Sequence, residues 1–205
     1  MVICFFGDSF VAGVGDDEGL GWTGRVCLAA RRAGHDVTGY ALGVRRDTSA
    51  TVRERWAGEA EARLAGDLDG RLVFSFGTND CCPDEDRMFR VPREQALANA
   101  ATILTRARAL RPTLMVGPPP VGDDPDTDRA IKALSQDFHV LCERLGVPYL
   151  PVFDTLRAHP VWTAEAAAND GSHPGSGGYG ALAELVGAWP AWQAWFAGRP
   201  GDARR

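Results

Sequence analysis

The chain has 205 residues, 45% of them hydrophobic and 24% charged, which describes one soluble globular domain with room for a full core. A formal net charge of −5 excludes a general nucleic-acid binder, because phosphate recognition needs a basic face. No apolar run approaches the roughly 20 residues of a spanning helix, and five cysteines at irregular spacing fit reduced thiols in a cytoplasmic protein better than a disulfide frame or zinc site.

Met1 leads directly into Val2-Ile3-Cys4-Phe5-Phe6, with no basic leader region, and the run stops at Gly7-Asp8-Ser9. This pattern predicts a buried strand ending in a sharp turn. Ser9 then stands at the carboxyl edge of a sheet, where open α/β folds bind their ligands, and becomes the candidate nucleophile. Asp8 is expected to hold the turn through backbone hydrogen bonds. The following loop is rich in glycine and acid. Gly13 and Gly15 fit the start of a dinucleotide fingerprint, but Glu18 occupies the third glycine position, so a phosphate-binding module is disfavoured.

A helix is predicted over Trp22 to Arg32, stopped by Gly34, then a strand from His35 to Leu42. Gly43 to Ser49 reads as a loop, with Asp47, Thr48 or Ser49 capping a helix that runs to about Ala65. A third strand spans Arg71 to Phe76 and breaks at Gly77-Thr78-Asn79-Asp80. A helix from about Pro92 to Leu110 leads to a strand at Thr113 to Val116, stopped by Gly117 and three prolines. A helix ending near Leu145, a strand at Val147 to Val152 and a long irregular stretch from Phe153 to Ser172 follow. Ser176 to Ala188 is the last long helix.

The Trp-rich tail is expected to pack on the core as a further helix, with a self-association patch in a homodimer as the second reading. One domain over residues 1–197 is expected, with Gly198 to Arg205 as a flexible tail. The alternation of strands and helices predicts a parallel sheet covered on both faces.

Such a sheet gathers the chemistry at one edge. Asp170 and His173 are three residues apart ahead of a helix, so one turn brings carboxylate and ring together. Asp170 would fix the tautomer and leave the second ring nitrogen to accept the Ser9 proton. Asp154 with His159 is a weaker rival, because its spacing is longer and no clear helix follows. His35 and His139 read as structural. Asn79, after a Gly-Thr turn, is either a turn former or an amide donor to an oxyanion, and Gly43 either permits a turn or offers its N–H.

Phe6-Gly7-Asp8-Ser9-Phe10, Leu42-Gly43-Val44-Arg45, Gly77-Thr78-Asn79-Asp80 and Asp170-Gly171-Ser172-His173-Pro174 together resemble, in order, the sequence blocks of the GDSL family of SGNH hydrolases. Phe10 replaces the name-giving leucine. Ala41 stands where family members often carry asparagine, which bears on how the Gly43 loop is braced. The resemblance implies a flavodoxin-like three-layer α/β/α sandwich with a five-stranded parallel sheet in the order 2-1-3-4-5. It implies Ser9 as nucleophile, His173 as base and then acid, and Asp170 as its orienter. The N–H groups of Ser9 and Gly43 and the Asn79 side chain would be the oxyanion donors, with no metal or organic cofactor.

The implied reaction is hydrolysis of small carboxylic esters, short-chain acyl or acetyl esters foremost. Thioesterase, lysophospholipase and carbohydrate O-acetylesterase activities are the alternatives within the superfamily, and an inactive carbohydrate-binding relative is the non-enzyme alternative. Pro118 to Pro120 and the stretch 153–172 are expected to frame the acyl pocket, with Cys81 and Cys82 as further candidates for its wall.

Overall fold

The three inner strands carry apolar residues on both faces and are buried on both, whereas the first edge strand, Thr38–Gly43, is largely exposed. In the computed structural model, which describes residues 1–84, 88–122 and 124–197, β1 (Val2–Gly7), β2 (Thr38–Gly43), β3 (Gly70–Ser75), β4 (Thr113–Val116) and β5 (Tyr149–Leu150) form one parallel sheet in the order β2-β1-β3-β4-β5. In-register pairing of Cys4 with Leu72 and of Phe6 with Phe74 keeps like-facing residues together. Phe6 and Phe74 stack at 5.4 Å and meet Trp56 of α3 (Ser49–Arg63) edge-on. On the opposite face, Phe5 meets Trp22 of α2 (Gly21–Arg32), with ring centroids 5.5 Å apart.

The helices α5 (Arg93–Leu110) and α6 (Pro125–Leu145) complete the α3 layer. Phe138 of α6 packs at 5.7 Å on Phe76, which meets Phe74 in turn. The opposite layer is α2 with α9 (Ser176–Ala188). No helix among the described residues is long and apolar enough to cross a membrane.

The order places the switch point between β1 and β3, where neighbouring connections leave in opposite directions and open a crevice at the strand ends. Two short helices start there, α1 (Ser9–Ala12) directly after β1 and α4 (Thr78–Cys81) after β3. Gly7 is required where β1 ends. A Cβ at this position would stand 1.8 Å from the Ser75 carbonyl oxygen and 2.6 Å from a Val11 methyl carbon. Ser75 O is backbone and cannot move aside without disturbing the β1–β3 ladder. Gly7→Ala is therefore expected to destabilise the fold by about 3 kcal/mol, the upper end for overpacking a core. A urea midpoint equal to that of the parent protein would refute this.

The irregular stretch expected from Phe153 to Ser172 instead contains α7 (Phe153–Arg157) and α8 (Pro160–Ala168). Pro160 occupies the first turn of α8, and His159 caps it by accepting the Trp162 N–H at 3.4 Å. Phe153, Leu156, Trp162 and Ala166 are buried, so tertiary packing stabilises helices too short to hold on their own. β2 starts three residues later than expected and runs on to include Gly43, and β5 is confined to Tyr149–Leu150.

The Trp-rich segment forms α10 (Pro190–Gln193) and turns Trp192 inward to 4% exposure, 6.2 Å from Phe5. None of the five cysteines forms a disulfide. The tail expected to fray, 198–205, lies outside the described residues.

Candidate active site

Asp8 caps α1. Its backbone is extended, and its Oδ1 accepts the Phe10 N–H at 3.0 Å, as expected for a turn-holding residue. Ser9 is thus the first residue of a helix, where the N–H has no partner within the helix. Gly13, at φ 74°, ends α1 after one turn. Phe10 points the other way, stacks on Trp162 at 6.0 Å and lies 4.8 Å from the His173 ring. The Asp8 side chain is buried, which pushes its carboxyl up to about 7, partly offset by the Phe10 N–H and reinforced by the Asp80 and Asp47 carboxylates.

Ser9 Oγ lies 2.7 Å from His173 Nε2, and His173 Nδ1 lies 2.8 Å from Asp170 Oδ2. The other Asp170 oxygen accepts the N–H groups of Ser172 at 3.1 Å and His173 at 2.8 Å. The carboxylate therefore closes a turn with one oxygen and faces the ring with the other. Burial raises the Asp170 pKa, but the His173 N–H, the His173 ring and the Ser172 N–H outweigh it, and the carboxyl ends below its ordinary range. An ionised Asp170 can only accept, so Nδ1 carries the ring proton and Nε2 is left to accept from the Ser9 hydroxyl.

Two residues that sequence patterning does not single out hold this turn. Asn169 Nδ2 donates to the His173 carbonyl at 3.1 Å. Glu165 of α8 accepts the N–H groups of Gly177 at 3.1 Å and Gly178 at 2.7 Å, capping α9 from outside. The rival pair is separated: Asp154 binds Lys132 Nζ at 2.7 Å, and His159 is occupied as the α8 cap. His35 meets Phe196 at a tilt, 4.9 Å between ring centres, and His139 stacks on Tyr149 at 5.4 Å.

Gly43 ends β2 in register with Gly7. A Cβ there would come within 2.2 Å of Ala12 N and 2.4 Å of Asp8 O, so only glycine lets this strand end lie against α1. The segment after it turns through a hydrogen bond from Asp47 N to Val44 O at 3.2 Å, with Arg46 at φ 67°. Arg55 of α3 braces that turn from below. It donates through Nε to Asp47 Oδ2 at 2.6 Å and through a terminal nitrogen to the Gly7 carbonyl at 2.9 Å. One side chain thus ties the turn before Ser9 to the Gly43 loop.

Asn79 lies in α4, with its carboxamide bound on both sides. Nδ2 donates to the Asp47 carbonyl at 3.0 Å, and Oδ1 accepts from Arg90 at 3.2 Å. Its neighbours anchor α4. Thr78 Oγ1 donates to Pro119 O at 3.0 Å, and the buried Asp80 accepts the Ser49 N–H at 2.9 Å and the Ser49 hydroxyl. Desolvation pushes the Asp80 pKa up against those two bonds.

A cavity of about 270 Å³ lies between Pro120–Gly122 and the 157–171 segment, with Arg157, Trp162 and Gly171 in its wall. Cys81 lines a different, smaller cavity with Phe89 and Leu134. No group of three His, Cys, Asp or Glu side chains among the described residues is arranged to hold a metal ion.

Known structures share this architecture. The lipase/acylhydrolase from Enterococcus faecalis aligns with a TM-score of 0.74 at 24% identity, over 90% of this chain and 92% of that one. The acetylxylan esterase Axe2 from Geobacillus stearothermophilus aligns at 0.73 and 17% identity, over 90% and 91%. TesA aligns at 0.72 and 23% identity, over 95% and 99%. At these identities the likeness establishes the fold. Among curated proteins no sequence matches significantly. Residues 5–181 match the family model described as GDSL-like lipase/acylhydrolase, so the chain belongs to that family and is an enzyme of the esterase/lipase type.

Proposed function

We propose that the protein is a serine acylhydrolase that cleaves short-chain acyl or acetyl esters through Ser9, His173 and Asp170. The observation that carries this reading is the unbroken hydrogen-bonded chain from Ser9 Oγ through the His173 ring to Asp170. Ser9 Oγ attacks the ester carbonyl carbon while Nε2 takes its proton. The alcohol leaves with that proton, giving an acyl-enzyme, and water enters by the same route in reverse. Asp170 keeps the ring in the accepting tautomer and stabilises the imidazolium. The N–H groups of Ser9 and Gly43 and one Asn79 Nδ2–H receive the developing negative oxygen, and one such donor is typically worth ~2.7–4 kcal/mol in the transition state.

We assign the acyl group to the cavity of about 270 Å³ beside Trp162 and Gly171, which reaches the triad through Trp162 on Phe10 and Phe10 on the His173 ring, and its small size favours a short chain. Cysteines outside any disulfide, four of the five buried, fit a reducing compartment, and we place the enzyme in the cytoplasm on that basis. A series of p-nitrophenyl esters tests the substrate class, together with an acetylated xylo-oligosaccharide and an acyl-CoA. The expected result is the highest kcat/KM at two to four acyl carbons, with a steep fall beyond. Preference for a long-chain ester or for the thioester would overturn the assignment.

A further inference from the structure

Arg90 enters the site from a loop that doubles back on α4. Its backbone N–H donates to the Cys82 carbonyl at 3.2 Å, the next N–H, of Val91, donates to Asp80 O at 3.3 Å, and Val91 is buried. Pro83 and Phe89 form an antiparallel bridge just before it. The return of the chain therefore carries the Arg90 side chain alongside Asn79, where a terminal guanidinium nitrogen meets Oδ1 at 3.2 Å.

A carboxamide has one accepting oxygen and two N–H donors. At Asn79 the oxygen is taken by Arg90, and Nδ2 faces the Asp47 carbonyl. One N–H remains for a substrate oxygen. If the carboxamide were turned by 180°, its NH2 would face the guanidinium, donor against donor, and its oxygen would face the Asp47 carbonyl, acceptor against acceptor. Both contacts would become repulsive. Arg90 and Asp47 together thus select one orientation. A cation at Oδ1 also draws electron density from nitrogen to oxygen, which makes the remaining N–H a stronger donor. Its positive charge lies beside the carboxamide assigned to receive the developing oxyanion.

We propose that Arg90 is a positioning residue that locks and polarises the Asn79 carboxamide, so that one Nδ2–H is aimed at the oxyanion. The proposal rests on the assignment of Asn79 to the oxyanion hole. Arg90 acts through Asn79, and the effect belongs to the transition state, in which the carbonyl oxygen carries charge, more than to the bound substrate.

A double-mutant cycle on the best p-nitrophenyl ester tests it, using Arg90→Gln, Arg90→Lys, Asn79→Ala and the double variant Arg90→Gln/Asn79→Ala. Arg90→Gln is expected to lower kcat about tenfold with KM within about twofold of the parent. Arg90→Lys, which keeps a cationic donor, should recover most of that loss. Asn79→Ala should cost about a hundredfold to a thousandfold in kcat. The double variant should be no slower than Asn79→Ala alone, because the group through which Arg90 acts is gone.

If Arg90→Gln slows the Asn79→Ala enzyme by the same factor as the parent, Arg90 acts independently of Asn79 and the proposal falls. It also falls if Arg90→Gln leaves kcat unchanged, if it raises KM alone, or if Asn79→Ala keeps the parent rate. Arg90 is exposed, so its variants are expected to unfold at the parent temperature, and a drop shared by Gln and Lys would assign it to the fold instead. Ser9→Ala separates the two readings. Residual parent-like activity there overturns the nucleophile, whereas an inactive Ser9→Ala beside an additive cycle overturns only the role of Arg90.

Discussion

Ser9→Ala is expected to lower kcat about a millionfold on any ester the parent enzyme cleaves, and to abolish labelling by a fluorophosphonate. The size follows from how nucleophile and base work as a unit. Once either is gone, the other has nothing to act on, and only binding and the oxyanion donors remain. His173→Ala should therefore lose about as much as Ser9→Ala, and the double variant no more. The fold should be little affected, because Ser9 and His173 sit at the crevice between strand ends and neither fills the sheet core. A Ser9→Ala enzyme that retains a hundredth of the parent rate would remove Ser9 as the nucleophile.

Asp170→Asn is expected to cost about ten-thousandfold in kcat. The argument lies in how the carboxylate is used. One oxygen is held by the N–H groups of Ser172 and His173, and an asparagine oxygen would keep that place. The group left to face Nδ1 would then be an NH2, a donor. Nδ1 would have to accept, the ring proton would move to Nε2, and His173 would present a proton to Ser9 where it must take one. The turn would survive while the tautomer would be wrong. The measurement is kcat with KM, alongside the rate of fluorophosphonate labelling, and both rates should fall together. A variant within tenfold of the parent would mean that Asp170 serves only to close the turn.

Much of this was legible from local pattern. Apolar runs cut short by glycine marked the strands, and motif residues just past those cuts had to share one edge once the sheet was parallel. Ser9, Gly43 and Asn79 stand out as candidates in that way, and Asp170 with His173 by their spacing ahead of a helix. The supports do not. Arg55 reaches the Gly7 carbonyl across 48 positions, and Arg90 bonds Asn79 across a returning loop. Neither contact leaves a periodic trace, because each depends on where two separate elements come to rest. Glu165 capping α9 is of the same kind. α7 and α8 escaped detection for another reason: helices of five and nine residues are too short to display a repeat, and the cap of α8 is a histidine in place of the usual small polar residue.

Ser9 and His173 are 164 positions apart in the chain, and α9, which starts just after His173, packs on α2. That separation makes the site a reporter of folding. Ser9 follows the N-terminal strand, next to the centre of the sheet, but His173 arrives only when the last helices dock. Closing so long a loop is an entropic cost that no local contact offsets, so it comes late on any route that builds the sheet outward from β1. A refolding chain can regain its helical and fluorescence signals before His173 has reached Ser9. Recovered esterase turnover would mark the moment at which the two ends of the chain meet.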